Sequence, residues 1–230
     1  MEDIKIEDII NKAIQEKNAK REKREITSWH ISGLGGCLRG QYFARLGEEP
    51  DYSFDSRTLR VFDMGNKTEE WLVDLLKTQK DIAKTETQVR VEDTKLGISG
   101  RVDLILEFRN ERIVYEIKSK HSRSFWHMRK KGPQREHCIQ LWTYLYLLGI
   151  DKGKLVYVSK DDLSIMEFEV NLNDEKLKNE VLMIIDLLNN AWKEKNPLLL
   201  PLPEKDSWQS RYCRWHRKCL KLEYEKLKVG

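Results

Sequence analysis

Residues 97–120 read GISGRVDLILEFRNERIVYEIKSK, and the fold turns on them. Two apolar runs, 102–106 and 113–117, flank a charged segment around Asn110. Runs of this length, rich in Val and Ile and bounded by polar turn residues, predict a β-hairpin buried in a sheet. Such strands should exclude charge, because burying an unpaired carboxylate is costly. Yet Asp103 lies in the first run, and Glu116 and Lys118 in the second. Alternation along a strand puts Glu116 and Lys118 on one face, which Asp103 can reach from the paired strand. Two carboxylates and an ammonium at a sheet edge suit a hard divalent cation that takes oxygen ligands, the Ile117 carbonyl being a further one. A cation there would polarise a phosphate and help deprotonate a water that Lys118 orients or activates. The alternative is a hairpin holding a structural ion pair.

Composition sets the frame. The 230 residues are 40% hydrophobic and 35% charged, enough for one domain with a proper core and a heavily charged surface. The net charge of +4 is compatible with a polyanion partner but does not by itself require one. No apolar stretch is long enough to span a membrane, and MEDIKIEDII lacks a signal-peptide pattern. The expectation is an intracellular, cytoplasmic protein without membrane association. Its four cysteines are then expected free or metal-bound.

Around the hairpin the chain reads as alternating elements. Residues 2–24 predict an amphipathic helix that frays into the basic run 20–24, a solvated face. Ser32 is expected to cap a helix that runs to Leu46 with Cys37 early on it. Residues 57–80 predict a long helix in which Glu69 shares the broad face of Leu72 and Leu76. Residues 84–92 alternate as a strand. The segment 121–135, HSRSFWHMRKKGPQR, interleaves Arg123, Arg129, Lys130 and Lys131 with Phe125 and Trp126, as a single-strand groove requires, and is expected to be a loop. An apolar helix over 136–149 ends at Gly149 and carries Gln140 and Tyr144 on one face. Strands over 154–159 and 164–170 and a charged amphipathic helix over 173–195 follow, and Pro197, Pro201 and Pro203 mark an extended linker.

Asp103 with Glu116-Ile117-Lys118 resembles the active site of the PD-(D/E)XK nuclease superfamily. RecB-like members place a Gly-x-x-x-His or Gly-x-x-x-Glu segment before the sheet, matched here by Gly65 and Glu69, and a Gln-x-x-x-Tyr element after it, matched by Gln140 and Tyr144. The resemblance implies an α/β, restriction-endonuclease-like core: a mixed central sheet flanked by helices, with helical N- and C-terminal segments. It implies one nuclease domain over 1–230, with an N-terminal helical segment to 55, a core over 56–195 and a cysteine-containing segment over 196–230. It also implies Mg²⁺- or Mn²⁺-dependent exonuclease action on single-stranded DNA ends. Glu69, Asp103, Glu116 and Ile117 would hold the metal, and Gln140 and Tyr144 would position the strand. Partners would be DNA repair or CRISPR adaptation proteins. The rival expectations are a non-catalytic DNA-binding or adaptor subunit, and an endonuclease of the same superfamily.

Iron–sulfur members of this group, CRISPR-associated and AddB-type, bind a cluster through one cysteine before the core and a Cys-x-x-Cys-x5-Cys set after it. Cys37, Cys213 and Cys219 fit three of these positions, but the fourth falls on Ser210. Ligation by Cys138, Ser210 or His216, a zinc site of Cys213, His216 and Cys219, or closure by Trp208, Tyr212 and Trp215 without metal all remain open. Cys138, two residues before Gln140, is expected near the active site instead.

Overall fold

The computed structural model describes residues 5–20, 25–204 and 207–229. The elements are α1 (Ile6–Ala19), β1 (Trp29–His30), α2 (Leu38–Arg45), α3 (Ser56–Lys77), β2 (Ile82–Asp93), β3 (Ile98–Phe108), β4 (Glu111–Lys120), α4 (Ser122–Lys131), α5 (Arg135–Leu148), β5 (Lys152–Ser159), β6 (Ile165–Asn171), α6 (Glu175–Lys193), α7 (Trp208–Arg211) and α8 (His216–Val229). They form an α/β fold with a six-stranded mixed sheet, ordered β1-β3-β4-β5-β6, with β2 also on β3.

The β3–β4 hairpin forms as the sequence predicts. Its turn is Arg109-Asn110, with φ of +51° and +66°. Two positive φ values match the twist of a tight hairpin. β4 and β5 run parallel, while β5–β6 and β2–β3 are antiparallel. One face of the sheet carries the larger core, in which Val114 and Tyr157 meet Leu141, Trp142 and Leu145 of α5 and Ile185 and Leu188 of α6. On a second, smaller core, Leu104, Leu106, Ile117 and Val158 meet Leu72 and Val73 of α3.

The pairing along β3 creates a notch. β1 pairs with β3 at Ile98 and Ser99, and β4 pairs with it from Leu104 to Phe108. β2 already pairs with the opposite edge at Ile98–Val102 and again from Leu104. Among the described residues, 100–103 therefore have no strand partner on the edge that β1 and β4 share.

Three expectations need correction. No helix starts at Ser32: Ile31–Gly33 is a 3₁₀ turn, and α2 begins at Leu38 with the Cys37 side chain accepting from Gly40 N–H. The reason is packing, since a Cβ on Gly35 would lie 2.4 Å from Glu136 Cα, so this segment presses flat on α5. The basic-aromatic segment is helix α4 and not a loop, because Phe125 and Met128, three apart, are buried on one face. The proline-rich linker is partly folded, with a 3₁₀ turn at Pro197–Leu199. Of the basic run 20–24, residues 21–24 lie outside the described residues. No helix among the described residues is long and apolar enough to cross a membrane.

Candidate active site

Asp103, Glu116 and Lys118 meet at the notch. Asp103 is the last residue of β3 before its ladder with β4 begins at Leu104–Tyr115. Its Oδ2 accepts the Ile117 N–H at 2.9 Å, replacing a strand partner. The N–H and C=O of one strand residue point to the same edge, so the Ile117 carbonyl also faces the notch. Glu116 is fully buried, at 0% exposure. Lys118 Nζ donates to Glu116 Oε1, while Glu116 Oε2 is buried with no hydrogen-bond partner. The Asp103 carboxyl lies within hydrogen-bonding reach of Glu116.

Electrostatics describe the same defect. Burial pushes the Glu116 carboxyl up to about 8, with Lys118 opposing and Asp103 reinforcing the rise. Burial also raises Asp103. Burial lowers Lys118, but Glu116 and Asp103 outweigh it and leave the ammonium raised. One ammonium thus faces a fully buried carboxyl and a half-buried one, and one acceptor lacks a donor. Such a pair needs a shared proton or a cation.

Glu69 reaches the cluster from α3. Its carboxyl rises to about 7, through burial first and Asp103 second. Gly65, one turn earlier, faces β4, and a Cβ there would meet Ser119 Oγ at 3.4 Å, an ordinary van der Waals contact. The Gln88 side chain donates to Glu69. Gln88 was not signalled by sequence. It sits in β2 with φ +52°, and the β2–β3 register passes from Thr87–Leu104 to Val89–Val102, which leaves Gln88 level with Asp103.

Gln140 and Tyr144 line the inner wall. Gln140 Nε2 donates to the Tyr144 hydroxyl at 3.2 Å. Tyr144 is 1% exposed, and its hydroxyl lies near the Arg101 backbone N–H. Burial, then the Glu116 charge, raises this phenol. A Cβ on Gly100 would lie 3.0 Å from the Tyr144 hydroxyl, so the glycine admits the ring to the notch.

The residues present fit a hard divalent cation, on the evidence of the partnerless Glu116 Oε2. Among the described residues no three His, Cys, Asp or Glu side chains close into a chelating group. Asp103 and Glu116 would supply two carboxylates, the Ile117 carbonyl a third oxygen and Glu69 an outer one, with water and substrate completing the shell. A bound cation of this kind polarises a phosphate and lowers the pKa of a water. Lys118, held by Glu116, can orient that water, and Tyr144 and Gln140 fix the wall against which the acidic pair stands.

The five residues expected at DNA lie together on α4. Arg123, Trp126, Arg129, Lys130 and Lys131 are all exposed. The Arg129 guanidinium sits 5.4 Å from the Trp126 ring centroid.

The structure brings three cysteines together at the junction of the N- and C-terminal segments. The Cys37 and Cys213 thiols are hydrogen-bonding neighbours, as are Cys213 and Cys219. All are free thiols. Ser210 is buried nearby in sequence, its Oγ 3.5 Å from His216 Nδ1. The junction has its own ties: Arg39 donates to Leu200 O at 2.8 Å and pairs with Glu223 at 2.7 Å, and Trp215 Nε1 donates to Glu48 O at 2.9 Å. Cys138 packs against the larger core beside Arg135, Glu136 and Asp174.

Comparison with known proteins agrees with this geometry. The CRISPR-associated exonuclease Cas4 of Saccharolobus solfataricus is 30% identical over 132 residues, 56% of this chain and 55% of that protein. The chain thus spans about half the length of that relative. The crystal structure of SSO0001 superposes with a TM-score of 0.61 at 25% identity, covering 94% of this chain and 96% of that one. The alkaline exonuclease LHK-Exo of Laribacter hongkongensis shares the fold, with a TM-score of 0.53 at 15% identity over 79% of this chain and 97% of that one. Residues 38–220 match the PD-(D/E)XK nuclease superfamily. With the notch, its acidic pair and its lysine in that span, the chain belongs to the PD-(D/E)XK nuclease superfamily.

Proposed function

We propose that the protein is a Mg²⁺- or Mn²⁺-dependent exonuclease that shortens single-stranded DNA from an end. The observation that carries this reading is the fully buried Glu116 beside the half-buried Asp103, facing Lys118, with one Glu116 carboxylate oxygen unsatisfied. A pure binding module gains nothing from such a pair, which counts against the adaptor reading. Asp103, Glu116, the Ile117 carbonyl and Glu69 serve the metal, Lys118 the attacking water, and Gln140 and Tyr144 the position of the strand. Arg123, Trp126, Arg129, Lys130 and Lys131 of α4 bind the DNA. Its action belongs in DNA repair or in CRISPR adaptation, in the cytoplasm; the likeness to a CRISPR-associated exonuclease supports the second setting.

The thiols of Cys37, Cys213 and Cys219 support a site for a thiophilic inorganic group, an iron–sulfur cluster first. Four thiolates do not fit, since Ser210 stands in the fourth place. Iron, sulfide and zinc analysis of anaerobically purified protein, with its visible absorption, separates a cluster, a zinc ion and a metal-free junction.

The activity is tested with single-stranded DNA labelled at either end, plus Mg²⁺ or Mn²⁺, using wild type and Lys118→Ala. Metal-dependent shortening is expected, lost in the variant, with a closed single-stranded circle left intact. Absence of cleavage by the wild type would transfer the reading to the adaptor, and cutting of the circle would make it an endonuclease.

A further inference from the structure

Lys120 is a second lysine on the active-site face of β4. At two-residue spacing, Glu116, Lys118 and Lys120 share that face. Lys120 is half-buried, yet among the described residues its ammonium makes no hydrogen bond and no ion pair. Its charged surroundings are Glu136, Lys118 and Lys160, one acid against two cations. His137, which Lys120 and Lys118 also face, is buried and held neutral, so it adds no charge. Lys118 differs, because its charge is already engaged by Glu116. A half-buried ammonium that faces one acid and two cations gains from a further anion.

Topology gives that anion a place. β4 and β5 are parallel, with Lys120 opposite Ser159. Lys160 N–H donates to Lys120 O at 2.8 Å, and Lys160 Nζ donates to Val61 O of α3 at 3.1 Å. Lys120 and Lys160 thus stand side by side at the carboxyl ends of two parallel strands, the end at which open α/β sheets take their ligands. Moving from Glu116 through Lys118 to Lys120 leads outward along one strand, about two residue rises per step, or roughly 6–7 Å. That step is close to the spacing of successive phosphates along an extended single strand.

We propose that Lys120 binds the phosphate next to the scissile one, and that Lys160 continues this cationic path out of the site. The proposal rests on the nuclease reading and makes Lys120 a substrate-binding residue with no part in activating water.

The test uses single-stranded oligonucleotides in which one phosphate at a time is replaced by a neutral methylphosphonate. In the wild type, one substitution beside the scissile phosphate is expected to lower kcat/KM roughly tenfold, the loss of one charge-assisted contact. In Lys120→Met, which keeps the apolar stem, kcat/KM is lower by a similar factor through KM, and the same methylphosphonate costs nothing more. Lys120→Arg restores most of the loss. The slope of log binding constant against log salt shrinks by about 0.7 in Lys120→Met, the share of one single-strand phosphate. Penalties that stay equal in wild type and Lys120→Met, or an unchanged salt slope, overturn the proposal while cleavage itself stands. A wild type indifferent to neutralising any neighbouring phosphate overturns it without recourse to a variant. A wild type that neither binds nor shortens DNA overturns the nuclease reading instead.

Discussion

Gln88 holds the Glu69 carboxylate from a backbone in the left-handed region, φ +52°, level with Asp103 across the β2–β3 pair. A long polar side chain at positive φ carries a cost that glycine does not. Removing the side chain should therefore split stability from function. Gln88→Gly is expected to raise stability by about 0.5–1 kcal/mol, since glycine adopts this backbone without a Cβ clash but gives up chain entropy. The same change frees Glu69 and should raise the metal concentration needed for half-maximal cleavage. Urea denaturation beside a Mg²⁺ titration reads both. A half-maximal Mg²⁺ concentration that is unchanged or lowered in Gln88→Gly would deny Gln88 a positioning role.

The acidic cluster makes a pH prediction. Burial raises Glu116 to about 8 and Glu69 to about 7. A folded carboxyl above its unfolded value retains a proton that the unfolded chain releases. Its contribution is therefore complete below the unfolded pKa near 4.3 and is lost as pH rises through the folded value. In EDTA, the thermal midpoint should carry a component that falls between pH 4.5 and 8. Mg²⁺ or Mn²⁺ replaces the retained proton, so the stabilisation by metal should grow over this interval. Glu116→Gln should abolish cleavage and flatten that component. A slope equal in wild type and variant would mean that Glu116 is not the group that titrates.

His137 supplies the opposite limb. Its Nδ1 lies 2.8 Å from the Tyr157 hydroxyl. Burial, then Lys120 and Lys118, pushes the imidazole down to about 2. Below pH 6.5 the unfolded chain takes up a proton that the folded one refuses, so stability falls with pH. At pH 5 the loss from this residue is roughly 2 kcal/mol, at 1.36 kcal/mol per unit. His137→Phe loses the bond to Tyr157, about 1 kcal/mol near neutrality, but should decline less between pH 6.5 and 5. Chemical denaturation of both proteins at four pH values isolates the difference from the opposing carboxyl effect.

What the sequence made legible was short in range. The β3–β4 hairpin, α5 ending at Gly149 and the α3 span all follow from local periodicity and turn chemistry. Asp103, Glu116 and Lys118 stood out because charge interrupted apolar runs. The notch was not legible, because it depends on β1 pairing with β3 from Trp29 to Ile98 across the intervening helices. Nor was the break before α2, since Gly35 answers to Glu136 a hundred residues away. Gln88 looked like an ordinary exposed strand residue, and its backbone conformation appears only with the register around it. In α4, two buried apolar residues among eight polar or exposed ones left a helical period too faint to read.

That helix is where strand binding can be separated from fold stability. Phe125 is buried, while its neighbour Trp126 is 42% exposed and packs edge-on to it, ring centroids 5.2 Å apart. One ring anchors the helix and the other is available to a base, with Arg129 at 5.4 Å extending the cationic side. Base stacking on an aromatic ring contributes about 1–3 kcal/mol. Trp126→Ala should therefore weaken single-strand binding by roughly 5- to 150-fold, with kcat at saturating DNA nearly unchanged, and Trp126→Phe should recover much of the loss. Phe125→Ala should instead cost about 3–5 kcal/mol of stability. Fluorescence anisotropy with a labelled oligonucleotide, paired with thermal denaturation, gives both numbers. Unaltered binding in Trp126→Ala, in a protein of wild-type stability, would move the path of the strand off α4.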